Sequence, residues 1–209
     1  MYLKVPYISY PSILKPEICD KIIQHGKDKL ISAVVVDSET KTSIDQTPRN
    51  SYVSWLSDQW IYDLIYPYLN KANDVAGWQF QTDYSESFQF TKYGKGQFYG
   101  WHADGNSCQL GKYKNWIPGI SPVEKDGSLP RGYTVNKEMI GKVRKISMTL
   151  NLSKPGSYTG GNLKMDHGPH ARNKRFHECE EIRPEGSIIF FPSFVYHQVT
   201  PVTSGEKYS

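Results

Sequence analysis

Imidazole and carboxylate side chains carry most of the divalent-metal chemistry available to a protein. The triplet His102-Ala103-Asp104 offers one of each, separated by a single residue. On a strand, residues i and i+2 point to the same side, so both side chains can reach one ion. A lone His-x-Asp triplet arises easily by chance. The signal sharpens with His197, far downstream in the stretch FFPSFVYHQVTPV. Two histidines and one carboxylate on one face of a metal leave three positions open, the donor pattern of non-haem iron sites that work on dioxygen. A closed structural zinc site would need a fourth protein ligand. Taken singly, His102 or His197 is better explained as a hydrogen-bonded core histidine; the two together with the surrounding motifs favour a metal.

The elements that would hold these residues can be read from periodicity. Pro16 opens a helical pattern in which Ile18, Cys19, Ile22 and Ile23 share a face, proline at the first helical position leaving no donor unpaired. A second helix is expected after Ser57 as N-cap, with Trp60, Ile61, Leu64, Ile65, Tyr68, Leu69 and Ala72 as its buried stripe and a kink or break at Pro67. Both stripes read as packing surface. From Gln79 onward the pattern becomes that of short strands divided by Gly- and Pro-rich turns, at 87–93, 144–152, 187–191 and 196–202. Along 144–152, Ile146, Met148, Leu150 and Leu152 alternate with the polar trio Ser147, Thr149 and Asn151. A polar inner strand face suits a pocket in a barrel mouth.

The fold class expected is therefore mainly β (α+β), a double-stranded β-helix or jelly roll supported by N-terminal helices. The whole chain, 1–209, is expected as one domain, with 1–78 a helical support region and 79–209 the jelly-roll core. The stretch 105–143 has no clear period and is expected as a long functional loop, and 167–178 as a polar surface loop. Composition is ordinary for a globular protein apart from 13% aromatic residues, which suits a β-rich fold. A net charge of +4 is too modest to argue for a nucleic-acid partner. Cys19, Cys108 and Cys179 are odd in number and far apart, which argues against a disulfide framework. No signal-like or membrane-spanning apolar run is present, so a cytoplasmic location without membrane contact is expected; oligomeric state is not legible.

The stretch Tyr93-Gly94-Lys95-Gly96-Gln97-Phe98-Tyr99-Gly100-Trp101-His102-Ala103-Asp104 resembles the Y-x-x-G-Q-x-Y-x-x-H-x-D signature of the 2-oxoglutarate oxygenases, and among them the prolyl 4-hydroxylase catalytic domain. The ending HQVTPVTSGEKYS resembles that family's distal half, in which a basic residue, here Lys207, follows the distal histidine by ten positions. Arg49-Asn50-Ser51 with Trp55-Leu56, and Gly160-Gly161, are similar to further landmarks. The resemblance implies Fe(II) on His102, Asp104 and His197, with 2-oxoglutarate and dioxygen as cosubstrates and ascorbate as an accessory reductant. It implies that Lys207 and Tyr93 hold the distal carboxylate of 2-oxoglutarate, and that Tyr99 and Arg144 touch a peptide or protein substrate.

The reaction implied is hydroxylation of an unactivated C–H bond, of a prolyl residue above all, with release of succinate and carbon dioxide. Two departures accompany the resemblance. Asn162 and Leu163 stand where the family often has an acidic residue and a threonine, and the family's last strand runs on beyond the equivalent of Ser209. Other readings are a nucleic-acid demethylase, which the lysine at 207 argues against, an oxygenase of free amino acids or other side chains, an inactive metal-binding scaffold, and a cupin-like metal protein. His167, His170 and His177 are a poor second metal site, since scattered loop histidines seldom share an ion.

Overall fold

The computed structural model describes residues 4–35, 49–104, 144–168 and 175–209. The loop expected at 105–143, Cys108 and His170 lie outside the described residues.

The elements run, in chain order, β1 (Ile8–Tyr10), α1 (Pro16–Lys27), β2 (Ile31–Val35), β3 (Arg49–Leu56), α2 (Gln59–Val75), β4 (Phe88–Tyr93), β5 (Phe98–His102), β6 (Ile146–Leu150), β7 (Tyr158–Gly160), β8 (Leu163–Asp166), β9 (Phe176–Glu178), β10 (Ile188–Pro192), β11 (Tyr196–Val199), β12 (Val202–Gly205) and β13 (Lys207–Tyr208). A curled eight-stranded antiparallel sheet has the order β13-β4-β3-β5-β11-β8-β9, with β2 paired to β3. A smaller sheet, β1-β10-β6, and the pair β12-β7 complete the mainly β jelly-roll architecture expected.

Strand β10 divides the interior. All five of its residues are buried, and alternation sends Ile188 and Phe190 to one face and Ile189 and Phe191 to the other. On the first face they meet Leu150 and Leu152 and the helices, through Cys19, Ile22 and Ile23 of α1 and Ile61, Ile65 and Ala72 of α2. On the second they meet Leu163, Met165, Cys179, Ile182 and Val195. Ser147 and Thr149 pair with Phe191 and Ile189, which puts the polar face of β6 toward the sheet interior, as its alternation implies.

Several local expectations are corrected. Helix α2 runs through Pro67 without a break, because the proline and Asp63, whose carbonyl it leaves unpaired, both lie on the exposed side where water is available. Its N-cap is Asp58, one residue after Ser57. Its end is a Schellman motif, with Trp78 N–H on Asn73 O at 3.1 Å, Gly77 N–H on Asp74 O at 2.9 Å, and Gly77 at φ 67°. The N-terminal 1–78 stretch supplies strands β2 and β3 to the large sheet besides its helices, so β3 pairs directly with β4 and β5. Residues 176–178, expected in a surface loop, form β9 against β8. The strand expected at 196–202 divides at Thr200-Pro201 into β11 and β12, since proline brings no ladder donor.

Gly26 shows how closely α1 lies on the sheet. Its carbonyl accepts a 2.7 Å hydrogen bond from Ser54 Oγ, and a Cβ placed on it would stand 2.4 Å from the Phe90 ring. Gly26→Ala is therefore expected to cost roughly 1 to 2 kcal/mol, the overpacking outweighing the better helix propensity of alanine. Thermal unfolding should show a Tm lower by about 2–8 °C; an unchanged Tm would mean that the ring gives way freely.

Candidate metal centre

His102 and His197 face each other across β5 and β11, and their ring centroids are 4.1 Å apart. The pairing is irregular. His197 is opposite His102 and Val199 is opposite Tyr99, so three residues on β5 match two on β11. This bulge cancels the normal alternation and brings Tyr99 and His102, three apart, to the same side, where their rings stack at 3.7 Å. Asp104 lies two residues beyond the end of β5, and its carboxylate oxygens stand 3.4 Å from His102 Nε2 and 3.8 Å from His197 Nε2. One ligand atom from each of the three residues lies within 4.8 Å of the others.

Two backbone carbonyls set the histidine tautomers. His102 Nδ1 is 2.8 Å from Gly100 O and His197 Nδ1 is 3.0 Å from Val195 O. A carbonyl only accepts, so each Nδ1 carries a proton and each Nε2 is left facing Asp104. Burial pushes His197 down to about 4, only partly offset by Asp104, so its ring is neutral near pH 7. Burial works against the Asp104 carboxylate, yet its contacts with His102 and His197 hold it well below the usual carboxylate range. Two imidazole nitrogens and one carboxylate thus converge on one point, a donor set that a cation would satisfy. The donor set fits Fe(II).

The triad lines a cavity of about 810 Å³ together with Tyr93, Tyr99, Ser147, Thr149, Arg144 and Phe191 among others. Lys207, on β13, pairs with Tyr93 and is buried at 3% exposure, its Nζ 5.5 Å from the Tyr93 ring centroid. Among the described residues no carboxylate pairs with it. Burial, and secondarily the charge of Arg183, push its pKa down to about 8. Tyr93 lines the cavity and Lys207 does not, so the tyrosine stands between the ammonium and the open space. Burial raises the Tyr93 pKa, which keeps its hydroxyl a donor.

Tyr99 and Arg144 also line the cavity, but each is engaged by the protein. Tyr99 has His102 stacked on it and the Arg49 guanidinium 4.5 Å from its ring centroid. Arg144 is bidentate to Glu86 at 2.5 and 2.7 Å and donates to Asp104 O at 3.0 Å. Of the polar trio, Ser147 donates to Ser193 Oγ and Thr149 lines the cavity, whereas Asn151 is spent on the carbonyls of Arg183 and Pro184. Glu86 carried no sequence signal, because its partner is 58 residues away; Arg49 stood out only as part of a motif. His177 stacks with both Tyr7 and His167, and the Tyr7 hydroxyl lies 2.8 Å from His177 Nε2 and donates to Glu181. They join no further group of converging ligands among the described residues.

Residues 88–209, more than half of the chain, match the 2OG-Fe(II) oxygenase superfamily, and the chain belongs to that superfamily of 2-oxoglutarate-dependent dioxygenases. A PKHD-type hydroxylase of Hyphomonas neptunium is 41% identical over 64 residues, 30% of this chain and 25% of the relative. A PKHD-type hydroxylase of Synechococcus sp. is 29% identical over 114 residues, 54% and 34% of the two chains. The matches thus span about a third or less of these relatives' length. Among solved structures, the viral collagen prolyl hydroxylase of Paramecium Bursaria Chlorella virus-1 superposes with a TM-score of 0.59 at 18% identity, covering 98% of this chain and 93% of that one. A Pseudomonas putida prolyl-4-hydroxylase gives 0.57 at 16%, covering 98% and 89%. At such identities the likeness concerns the fold. Among the described residues no helix is long and apolar enough to cross a membrane.

The buried Lys207 generates a stability prediction. Its pKa in the fold lies below the unfolded value, so the fold penalises the charged form. That penalty is fully present below about pH 8 and is relieved as pH rises toward the unfolded value. Lys207→Met should accordingly raise the Tm of the metal-free protein at neutral pH by a few degrees, of order 1 kcal/mol, with the gain shrinking toward alkaline pH. A lower Tm at neutral pH would contradict an unpaired buried ammonium.

Proposed function

We propose that this chain hydroxylates an unactivated C–H bond, with Fe(II) on His102, Asp104 and His197, and with the distal carboxylate of 2-oxoglutarate on Lys207 and Tyr93. The observation that carries the reading is the pairing of a three-donor lone-pair site with a buried, carboxylate-free ammonium next to the same tyrosine-lined cavity. A dicarboxylate leaving water needs a matching positive charge, and Lys207 supplies it with three donors. The Tyr93 hydroxyl, kept protonated by burial, adds a further donor on the cavity side.

Bound iron supplies activation of dioxygen, so that 2-oxoglutarate, O2 and a C–H compound yield succinate, CO2 and the alcohol. The residues of this chain orient the reactants and exclude water. The two histidines, fixed by carbonyls at Gly100 and Val195, would present the metal face; Phe191 lies edge-on to His197 at 4.7 Å. As substrate we propose a prolyl residue within a peptide or protein. The extended cavity, which reaches from the triad past Tyr84 and Trp55 to α2, accommodates a chain rather than a small free acid.

The test is succinate formation from 2-oxoglutarate under air with Fe(II) and ascorbate, with and without proline-rich peptides. Turnover is expected in the wild type, stimulated by such peptides, and lost in His102→Ala. Absence of peptide stimulation with intact uncoupled turnover would overturn the prolyl substrate alone. Since the Lys207 charge is lost above about pH 8, the KM for 2-oxoglutarate should climb with pH beyond that point in the wild type. In Lys207→Arg, which stays charged, the climb should flatten; a parallel climb in both would remove Lys207 from the 2-oxoglutarate site.

A further inference from the structure

We infer that Arg144 and Glu86 form a positioning pair for the metal ligand Asp104, rather than a grip on the substrate; the inference rests on reading His102, Asp104 and His197 as the metal site. Asp104 lies beyond the last residue of β5, so no strand ladder holds its backbone. Among the described residues, the group that holds its carbonyl is Arg144, through Nη1 at 3.0 Å. Arg144 is itself immobilised. Its Nε and Nη2 donate to the two oxygens of Glu86 at 2.5 and 2.7 Å, a fork-on-fork pair that fixes the plane of the guanidinium.

Glu86 is in turn tied to the helical layer. Its carbonyl accepts a 3.2 Å hydrogen bond from Tyr62 of α2. The segment leading to it is pinned to the same helix by Asn73, which donates to Phe80 O at 2.8 Å and accepts from Phe80 N at 3.0 Å. A continuous path therefore runs from α2 through Glu86 and Arg144 to the backbone of a metal ligand. Arg144 and Asp104 also flank residues 105–143, so the same hydrogen bond joins the two ends of that stretch. Three of the five N–H donors of Arg144 are thereby committed to Glu86 and to the backbone of Asp104. A lysine carries the charge but cannot bridge both partners in this geometry.

The experiment is titration of the metal-free full chain with Co(II), read by its d–d absorption, without any substrate present. Arg144→Lys and Glu86→Gln are compared with the wild type, singly and together, alongside the Tm of each metal-free protein. Outer partners of metal ligands typically govern affinity by about 10–100-fold, so Arg144→Lys should raise the Co(II) Kd by that factor and alter the d–d spectrum. Glu86→Gln should do so less, and the double variant should add little beyond Arg144→Lys, because both act through one path. The Tm of the metal-free variants should stay within a few degrees of the wild type. Unchanged Co(II) affinity and spectrum, with a raised KM for peptide, would overturn the inference and make Arg144 a substrate contact. A Kd rise matched by a collapse in Tm would overturn it in favour of a purely structural ion pair. Failure of the wild type to bind Co(II) would overturn the triad itself, and this inference with it.

Discussion

Two imidazole nitrogens and one carboxylate oxygen held within 4.8 Å of one another form the interaction around which the rest of the structure is arranged. Everything around the candidate centre serves to keep them there. Each histidine spends its Nδ1–H on the carbonyl two residues upstream, which fixes both tautomer and ring direction. The bulge in β5 stacks Tyr99 on His102, and Arg49 backs the far side of Tyr99. Phe191 and Met165 close the apolar wall beside His197.

Such a centre needs a scaffold whose stability comes from elsewhere. The helices α1 and α2 and the outer face of β10 and β6 form an apolar cluster that contains none of the candidate catalytic residues. Alternation along β10 and β6 is what separates the two tasks. Ile188, Phe190, Leu150 and Met148 pack toward the helices, while Phe191, Ile189, Ser147 and Thr149 lie on the opposite face. Lys207 is the clearest instance of a local cost in the fold, one that the proposed dicarboxylate site would explain. An ammonium at 3% exposure without a carboxylate partner is costly in the fold alone, and an arriving dicarboxylate would offset that cost.

A good deal of this was legible in the chain. His102, Asp104 and His197 could be picked out because metal ligands need particular side-chain chemistry, and Lys207 because its spacing matched a family pattern. The polar trio in 144–152 and the apolar faces of α1 and α2 follow from periodicity, which the burial reproduces. Pro67 misled because a proline's effect depends on which side of the helix it occupies, and that is decided by packing. Strands β2 and β3 were missed because a strand is completed by its neighbour in space, not by its own residues.

The sequence by itself determined the candidate donor set and the mainly β class, because residue type and short-range period depend only on local chemistry; the burial of Lys207 came from the fold. Tertiary structure alone decided how those groups meet. Alternation along β5 would send Tyr99 and His102 to opposite faces, and only the pairing with β11 creates the bulge that stacks them. Nothing in the chain announces that Arg144 would be taken by a glutamate 58 residues away and turned onto the carbonyl of a metal ligand. Register and long-range ion pairs arise from contacts between distant segments, and those exist only once the sheet has closed.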